Sequence, residues 1–369
     1  MTNPRLTTLA ARLPATVPFV GPEAAERQRG SVFAARLGAN ESVFGPSPRA
    51  IAAMESSAKD VWMYADPESH DLRAALALHL GISMNEVVIG EGVDTLLGYL
   101  VRLFIAEGDA VVTSDGAYPT FNYHVIGYGG ELTTVPFRDD KEDHEALLSA
   151  ASDVNAKLIY LANPDNPMAS HHHADVIEDM IARLPDGCLL VLDEAYIEFA
   201  PEGTAPVIDP SNASVIRMRT FSKGYGMAGA RVGYAFGHRD NIRAFEKVRN
   251  HFGMNRIAQI GALAALADQG YLAEVKALVT ASRDRITAIA RENDLEPLPS
   301  ATNFVTIDCG RDGAFAKAVL EELVARDIFV RMPFAEPGNR CIRVSCGREP
   351  DLDLFAEALP KALKAARTR

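Results

Sequence analysis

The segment Arg219-Thr-Phe-Ser-Lys-Gly-Tyr-Gly-Met-Ala-Gly-Ala-Arg231 sets one lysine, Lys223, beside two hydroxyls and among small residues, with an arginine close behind. A lysine taken alone is ordinarily a solvated surface charge. Its company changes that reading. An amine that can lose its proton and meet an aldehyde forms a Schiff base. Hydroxyls, backbone N–H groups and a guanidinium together hold a phosphate. The segment offers both chemistries.

Four other polar motifs accompany it. Gly90-Glu-Gly-Val-Asp-Thr95 has the form of a turn that opens a helix, whose N–H groups cradle a phosphate; alone it is equally a glycine turn with an Asp cap. Tyr118-Pro119 can stack on a flat ring or simply pack. In Asn163-Pro-Asp-Asn-Pro167 two prolines fix a loop and aim the asparagine amides inward; alone it is a rigid turn. Asp193-Glu-Ala-Tyr196 ends an apolar run with a carboxylate, a catalytic group or a helix cap. Their combination, in this order, is far less probable by chance than any one of them.

The elements that position these motifs follow from hydrophobic patterning. Short continuous apolar runs at 87–90, 110–113, 132–135, 158–162, 189–193, 215–218 and 232–236 predict buried strands. Helical stretches at 48–58, 71–80 and 94–106 and between the later runs predict an α/β fold with a mostly parallel, doubly covered sheet. In such a sheet chemistry gathers at the carboxyl ends of strands, where the polar motifs fall. Beyond about 240 a long helical stretch at 259–292, strands at 303–307, 328–330 and 341–344, and a helix near 312–326 predict a smaller α+β domain. Residues 1–30, with Pro4, Pro14, Pro18, Gly21 and Pro22, predict an irregular N-terminal arm. The division is an arm at 1–30, a large domain at 46–245, and a small domain from 31–45 and 246–369.

Composition bounds the function. The 369 residues carry 37 Lys and Arg against 49 Asp and Glu, a formal charge of −12, which argues against nucleic acid as a partner. Cys188, Cys309, Cys341 and Cys346 form no CxxC pair, so zinc is not expected, and sparse cysteines fit a reducing, cytoplasmic setting. No uninterrupted apolar run approaches the roughly 18 residues that suggest a membrane span. His171-His172-His173 reads as a polar loop or helix start rather than a metal site.

On these motifs the chain resembles the fold-type I, pyridoxal-phosphate-dependent aminotransferases of class I/II, from about Leu37 to the C-terminus. Within that group it is most similar to histidinol-phosphate aminotransferases and their paralogues. The residues that carry the likeness are Asn40-Glu41 with Gly45-Pro-Ser-Pro48, the segment from Tyr64 to Arg73, Gly90-x-Gly-x-Asp94, Asn166-Pro167, Asp193-Glu-Ala-Tyr196, Thr220-x-Ser-Lys223, Arg231 and Cys341-Ile-Arg343. The resemblance implies that Lys223 holds pyridoxal 5′-phosphate as an internal aldimine and then shuttles a proton. Asp193 would pair with the ring nitrogen and keep it protonated, and Asn166 and Tyr196 would bond the phenolic oxygen. Tyr118 would stack on the ring. Gly92, Val93 and Asp94 would offer N–H groups to the phosphate, with Thr220, Ser222 and Arg231. Tyr64 would reach the phosphate of a neighbouring subunit, so the active unit would be a homodimer. Asn40, Arg331 and Arg343 would bind substrate, Arg343 gripping a carboxylate such as that of glutamate. The family's Asn-Pro-Thr-Gly loop is replaced by Asn166-Pro-Met-Ala169, and Val93 stands where a hydroxyl is common.

The expected reaction is transfer of an amino group from a small-molecule donor, histidinol phosphate, to 2-oxoglutarate, a 2-oxo acid acceptor. The runner-up is an aromatic or other amino-acid aminotransferase on the same scaffold; a phospho-amino-acid decarboxylase is a remoter relative. Gly224-x-Gly-x-x-Gly229 literally matches a dinucleotide fingerprint, but five residues separate it from the strand before it and another strand follows. An NAD-dependent oxidoreductase is therefore disfavoured. Intact Lys223, Asp193 and Arg231 speak against a non-catalytic binding module.

Overall fold

A computed structural model describes residues 5–15 and 21–369. The apolar runs assemble into a seven-stranded sheet in the order Val87–Gly90, Gly233–Gly237, Val215–Thr220, Leu189–Asp193, Leu158–Ala162, Ala110–Ser114, Glu131–Val135. Only Gly233–Gly237 runs against its neighbours, and the other pairs are parallel. The pleat explains why the strands read as continuously apolar. Val111, Leu158, Tyr160 and Val191 pack on one face with Leu96, Leu97 and Leu100 of the helix Val93–Phe104. Val112, Ile159, Leu161 and Leu190 pack on the other with Leu147, Ile177 and Met180. Side chains alternate between faces along a strand, so a sheet covered on both sides needs apolar residues at every position.

A second apolar centre lies under a three-stranded antiparallel sheet of Glu296–Pro297, Phe304–Asp308 and Cys341–Ser345. Its Phe304, Ile307 and Ile342 pack with Val319 and Leu323 of the helix Gly313–Ala325 and Phe355 of Glu349–Ala366. Ala35–Arg36 pairs in parallel with Ile328–Phe329, which brings residues 35–40 beside the end of the strand Cys341–Ser345.

Two expectations are corrected. Residues 5–15 and 21–30 are not irregular: Thr8–Arg12 and Pro22–Arg29 are helical. Proline at the first helical position needs no N–H partner, and Gly30 at φ 76° ends the helix in the left-handed region. Arg36 pairs with Glu23 and Glu26, and Arg29 with Asp327, so this helix is tied to the strands beside it. Pro4 and Pro18, part of the same reading, lie outside the described residues. The stretch expected as one helix at 259–292 is two, Arg256–Ala267 and Gln269–Glu292. Asp268 breaks it because its carboxylate caps the second helix at the Tyr271 N–H. Among the described residues no helix is long and apolar enough to cross a membrane.

Candidate active site

The carboxyl ends of the parallel strands open into a cavity of about 850 Å³. Asn40, Val93, Asp94, Tyr118, Asn166, Asp193, Tyr196, Thr220, Ser222, Lys223, Arg231, Arg331 and Arg343 all line it. Asn40, Arg331 and Arg343 join residues of the five polar motifs there. Gly92 lies just behind the wall, and Tyr64 does not line the cavity; it is 78% exposed and packs on Phe252 at 4.8 Å between ring centroids.

One end of the cavity is an anion cradle. Gly92 caps the helix Val93–Phe104 at φ 89°, and a Cβ there would meet Arg231 Nη2 at 2.4 Å. The left-handed turn favours glycine, and a side chain there would make the Arg231 guanidinium move aside. Arg231 Nη1 donates to Ser222 Oγ at 3.4 Å, and Thr220 Oγ1 donates to the same oxygen at 2.9 Å. The Asp94 side chain has a role that the sequence left unread. It accepts the Tyr118 hydroxyl at 2.7 Å and lies 3.5 Å from Arg231, so it fixes both the aromatic wall and the arginine.

Asp193 also lines the cavity and is buried. Its Oδ1 accepts the Ala195 N–H at 2.9 Å and its Oδ2 accepts the Tyr160 hydroxyl at 2.7 Å. Burial pushes its carboxyl up to about 6, against the pull of these two hydrogen bonds.

Lys223 leaves the loop after the strand Val215–Thr220. Its Nζ donates to the Asn40 carbonyl at 2.9 Å and lies 5.5 Å from the centre of the Tyr196 ring. Asn40 is itself held. Its Nδ2 donates to Tyr196 Oη at 3.1 Å, and Ser345 Oγ donates to its Oδ1 at 2.8 Å. Its φ of 55° is a conformation asparagine tolerates better than most residues.

Arg331 and Arg343 sit opposite each other across an antiparallel bridge, with main-chain bonds of 3.2 and 2.6 Å in the two directions. Arg343 donates to Asn166 Oδ1 and, at 3.1 Å, to the Gly38 carbonyl, while its Nε is buried without a partner. Burial, helped by the like charge of Arg331, lowers Arg343 to about 10, so it stays cationic at neutral pH. The expectation that the loop aims both asparagine amides inward holds for Asn166 alone. Asn163 turns its amide to the His172 backbone, donating at 3.1 Å and accepting at 2.8 Å.

Two buried residues escaped the sequence reading: Tyr160, which lines the cavity, and Glu142, which lies behind its wall. Tyr160 sits inside an apolar strand and looks like packing. Glu142 follows no recognisable motif, yet it accepts Ser114 Oγ at 2.7 Å and the Ala162 N–H at 3.0 Å, joining the ends of two strands. Burial, with the neighbouring Asp165, pushes Glu142 up to about 8. Of the histidine triplet, His172 contacts the Glu142 carbonyl through Nε2 at 2.8 Å and His173 precedes the helix Ala174–Ala182. No group of three metal-binding side chains forms among the described residues. The glycines at 224–229 lie in a turn that leads to another strand, not to the helix a dinucleotide site requires.

A lysine, a buried carboxylate and an anion cradle around one cavity suit an enzyme that works on an amine through a phosphorylated aldehyde. The sequence matches the aminotransferase class I and II family over residues 35–359, and the chain belongs to that family. It is similar to the crystal structure of histidinol-phosphate aminotransferase from Sinorhizobium meliloti in complex with pyridoxal-5′-phosphate: 53% identity, 98% of both chains covered, TM-score 0.94. It is 30% identical to histidinol-phosphate aminotransferase of Moorella thermoacetica, covering 92% of this chain and 88% of that one. It is also 33% identical to an aromatic amino acid aminotransferase of Mycobacterium avium, covering 87% and 90%.

Proposed function

We propose that this chain is a pyridoxal-phosphate-dependent aminotransferase that moves the amino group of histidinol phosphate to 2-oxoglutarate. The observation that carries the substrate is the likeness, over nearly the whole of both chains, to the Sinorhizobium meliloti enzyme. The cavity's own chemistry agrees, with two further arginines, Arg331 and Arg343, side by side in its lining.

The residues fit the cofactor. The turn at Gly92 leaves no room for a side chain, and it faces helix N–H groups, two hydroxyls and Arg231, a donor set for a phosphate. Gly92, Val93, Asp94, Thr220, Ser222 and Arg231 would hold that phosphate. Tyr118 would cover the ring, Asn166 and Tyr196 would bond its phenolic oxygen, and Asp193 would meet its nitrogen. Bound there, pyridoxal phosphate supplies an electron sink that lets an amino group pass between carbon skeletons.

The chain does the rest. The Asn40 carbonyl orients Lys223 Nζ, which would hold the cofactor and would move the proton on and off the substrate α-carbon. Asp193, favoured as an anion by two donors, would hold a proton on the ring nitrogen. Arg331 and Arg343 bind the substrate's anionic group, phosphate in one half-reaction and a carboxylate of glutamate in the other. Half-reactions on the loaded enzyme test the proposal. Histidinol phosphate is expected to change the absorbance of the bound cofactor fast, and phenylalanine, tyrosine and aspartate slowly. The 33% identical aromatic relative favours the second reading, an aromatic aminotransferase. Fast conversion by phenylalanine with none by histidinol phosphate would select it.

The same reading extends to assembly. Tyr64, Trp62, Val61 and Phe252 form an exposed apolar group, 56–79% exposed, that supports a homodimer in which Tyr64 reaches the partner's phosphate. Sedimentation of the Trp62→Arg variant as a monomer would support it. The arm at 1–30, large domain at 46–245, and small domain at 31–45 and 246–369 are proposed as the units. A cytoplasmic setting is supported by four buried, unbridged cysteines.

A further inference from the structure

Tyr160 lies in the strand Leu158–Ala162 and is fully buried, yet its ring edge reaches the cavity floor. Were it only packing, phenylalanine would serve better, because a buried hydroxyl must recover the cost of leaving water. It recovers that cost at one place, Asp193 Oδ2, at 2.7 Å. The sheet is built to allow this contact. Asp193 pairs in register with Ala162, whose small side chain leaves space for Tyr160, on the same face, to reach beneath the carboxylate. Phe121 stacks on the Tyr160 ring at 4.6 Å and 17°, which restrains the phenol. Burial and the Asp193 charge raise the phenol far above its ordinary range, so it remains a donor at any working pH.

We propose that Tyr160 is a positioning residue for the reaction: its hydroxyl fixes Asp193 and stabilises it as an anion, and so sets how firmly the carboxylate holds the proton of the cofactor's ring nitrogen. This rests on the reading that Asp193 meets that nitrogen. Asp193 borders the cavity, and with a ring over it the Tyr160 hydroxyl and the Ala195 N–H would be the donors the chain gives it beside the ring nitrogen's own proton. Removing one of them therefore penalises the covered, charge-paired state more than the open one.

The experiment compares two cofactors on the apoenzyme by equilibrium dialysis. One is pyridoxal phosphate; the other is its analogue with C–H in place of the ring nitrogen. The native chain is expected to prefer the natural cofactor. In Tyr160→Phe that preference should shrink by roughly tenfold to a hundredfold, the range for hydrogen bonds to charged groups. A purely structural role would weaken both ligands alike and leave the ratio within about twofold; that result overturns the proposal. Should Tyr160→Phe not fold, 3-fluorotyrosine placed at 160 keeps the volume and strengthens the donor. It should widen the preference, and an unchanged ratio refutes the inference. Failure of the native apoenzyme to bind either ligand would instead sink the cofactor reading beneath it.

Discussion

Replacing Arg331 with methionine tests which anion the far end of the cavity was built for. Methionine keeps much of the length of the stem near Phe329, whose ring centre lies 5.5 Å from the guanidinium carbon, and removes only the charge and its donors. The two arginines start from adjacent backbone positions, so a doubly charged phosphate can engage both guanidiniums while a single carboxylate is satisfied by one. Arg343 is partly destabilised as a cation by its neighbour, and loss of Arg331 raises its proton affinity from about 10. Its grip on a carboxylate therefore survives. The phosphate loses one charge-assisted contact, about 1.5–3 kcal/mol, or roughly a 10- to 150-fold drop in kcat/KM for histidinol phosphate. Single-turnover half-reactions with histidinol phosphate and phenylalanine, run side by side, read the difference. Equal losses for both substrates would refute the assignment of Arg331 to phosphate.

Lys223→Ala should abolish turnover and the visible band of the lysine-bound cofactor while the far-UV circular dichroism is unchanged; retained turnover would overturn the role of the lysine. Gly92→Ala forces a Cβ to within 2.4 Å of Arg231 at a φ of 89°, so it should cost about 1–3 kcal/mol in strain and weaken cofactor binding, read by Tm and by dialysis. Glu142 predicts a pH effect. Its folded carboxyl, at about 8, lies above its ordinary 4.5, so between those values the folded chain binds more protons than the unfolded one. Stability then falls as pH rises through that window. Glu142→Gln, which can still accept from Ala162 and can donate to Ser114, should flatten the pH 5 to pH 8 difference in urea denaturation of the apoenzyme by on the order of a few kcal/mol. An unchanged difference would show that Glu142 titrates normally.

The sheet was legible because burial on both faces keeps stretches such as 158–162 and 189–192 apolar, and polar residues such as Asp193 then mark the strand ends. Lys223, Asp193, Arg231 and the turn at Gly92 stood out only together: each alone has an ordinary reading, and the roles expected of them came from their combined order and the resemblance it carries. The helix Pro22–Arg29 was missed because a proline-rich segment was read as irregular, whereas proline at a first helical position favours the helix. The break at Asp268 was missed because a capping aspartate inside a helical pattern resembles a surface charge.

What the sequence hid was the allocation of hydrogen bonds. Asn163 and Asn166 belong to one motif and carry the same amide, yet one is consumed by the His172 backbone and the other faces Arg343 inside the cavity. Residue type states only that an amide has donors and an acceptor; which of them the loop itself uses depends on the three-dimensional competition for partners. Tyr160 and Glu142 make the same point from the other side. Each sits where pattern reading assigns no chemistry, and each bonds to a strand end that carries or borders Asp193. A carboxylate that must stay charged in a covered cavity needs donors around it: for Asp193 one is local, the Ala195 N–H, and the other, the Tyr160 hydroxyl, comes from the neighbouring strand, fixed by register rather than by any local motif. The residues that touch a reacting group are therefore readable from type and spacing, while those that hold such residues in place become readable only once the strands are paired.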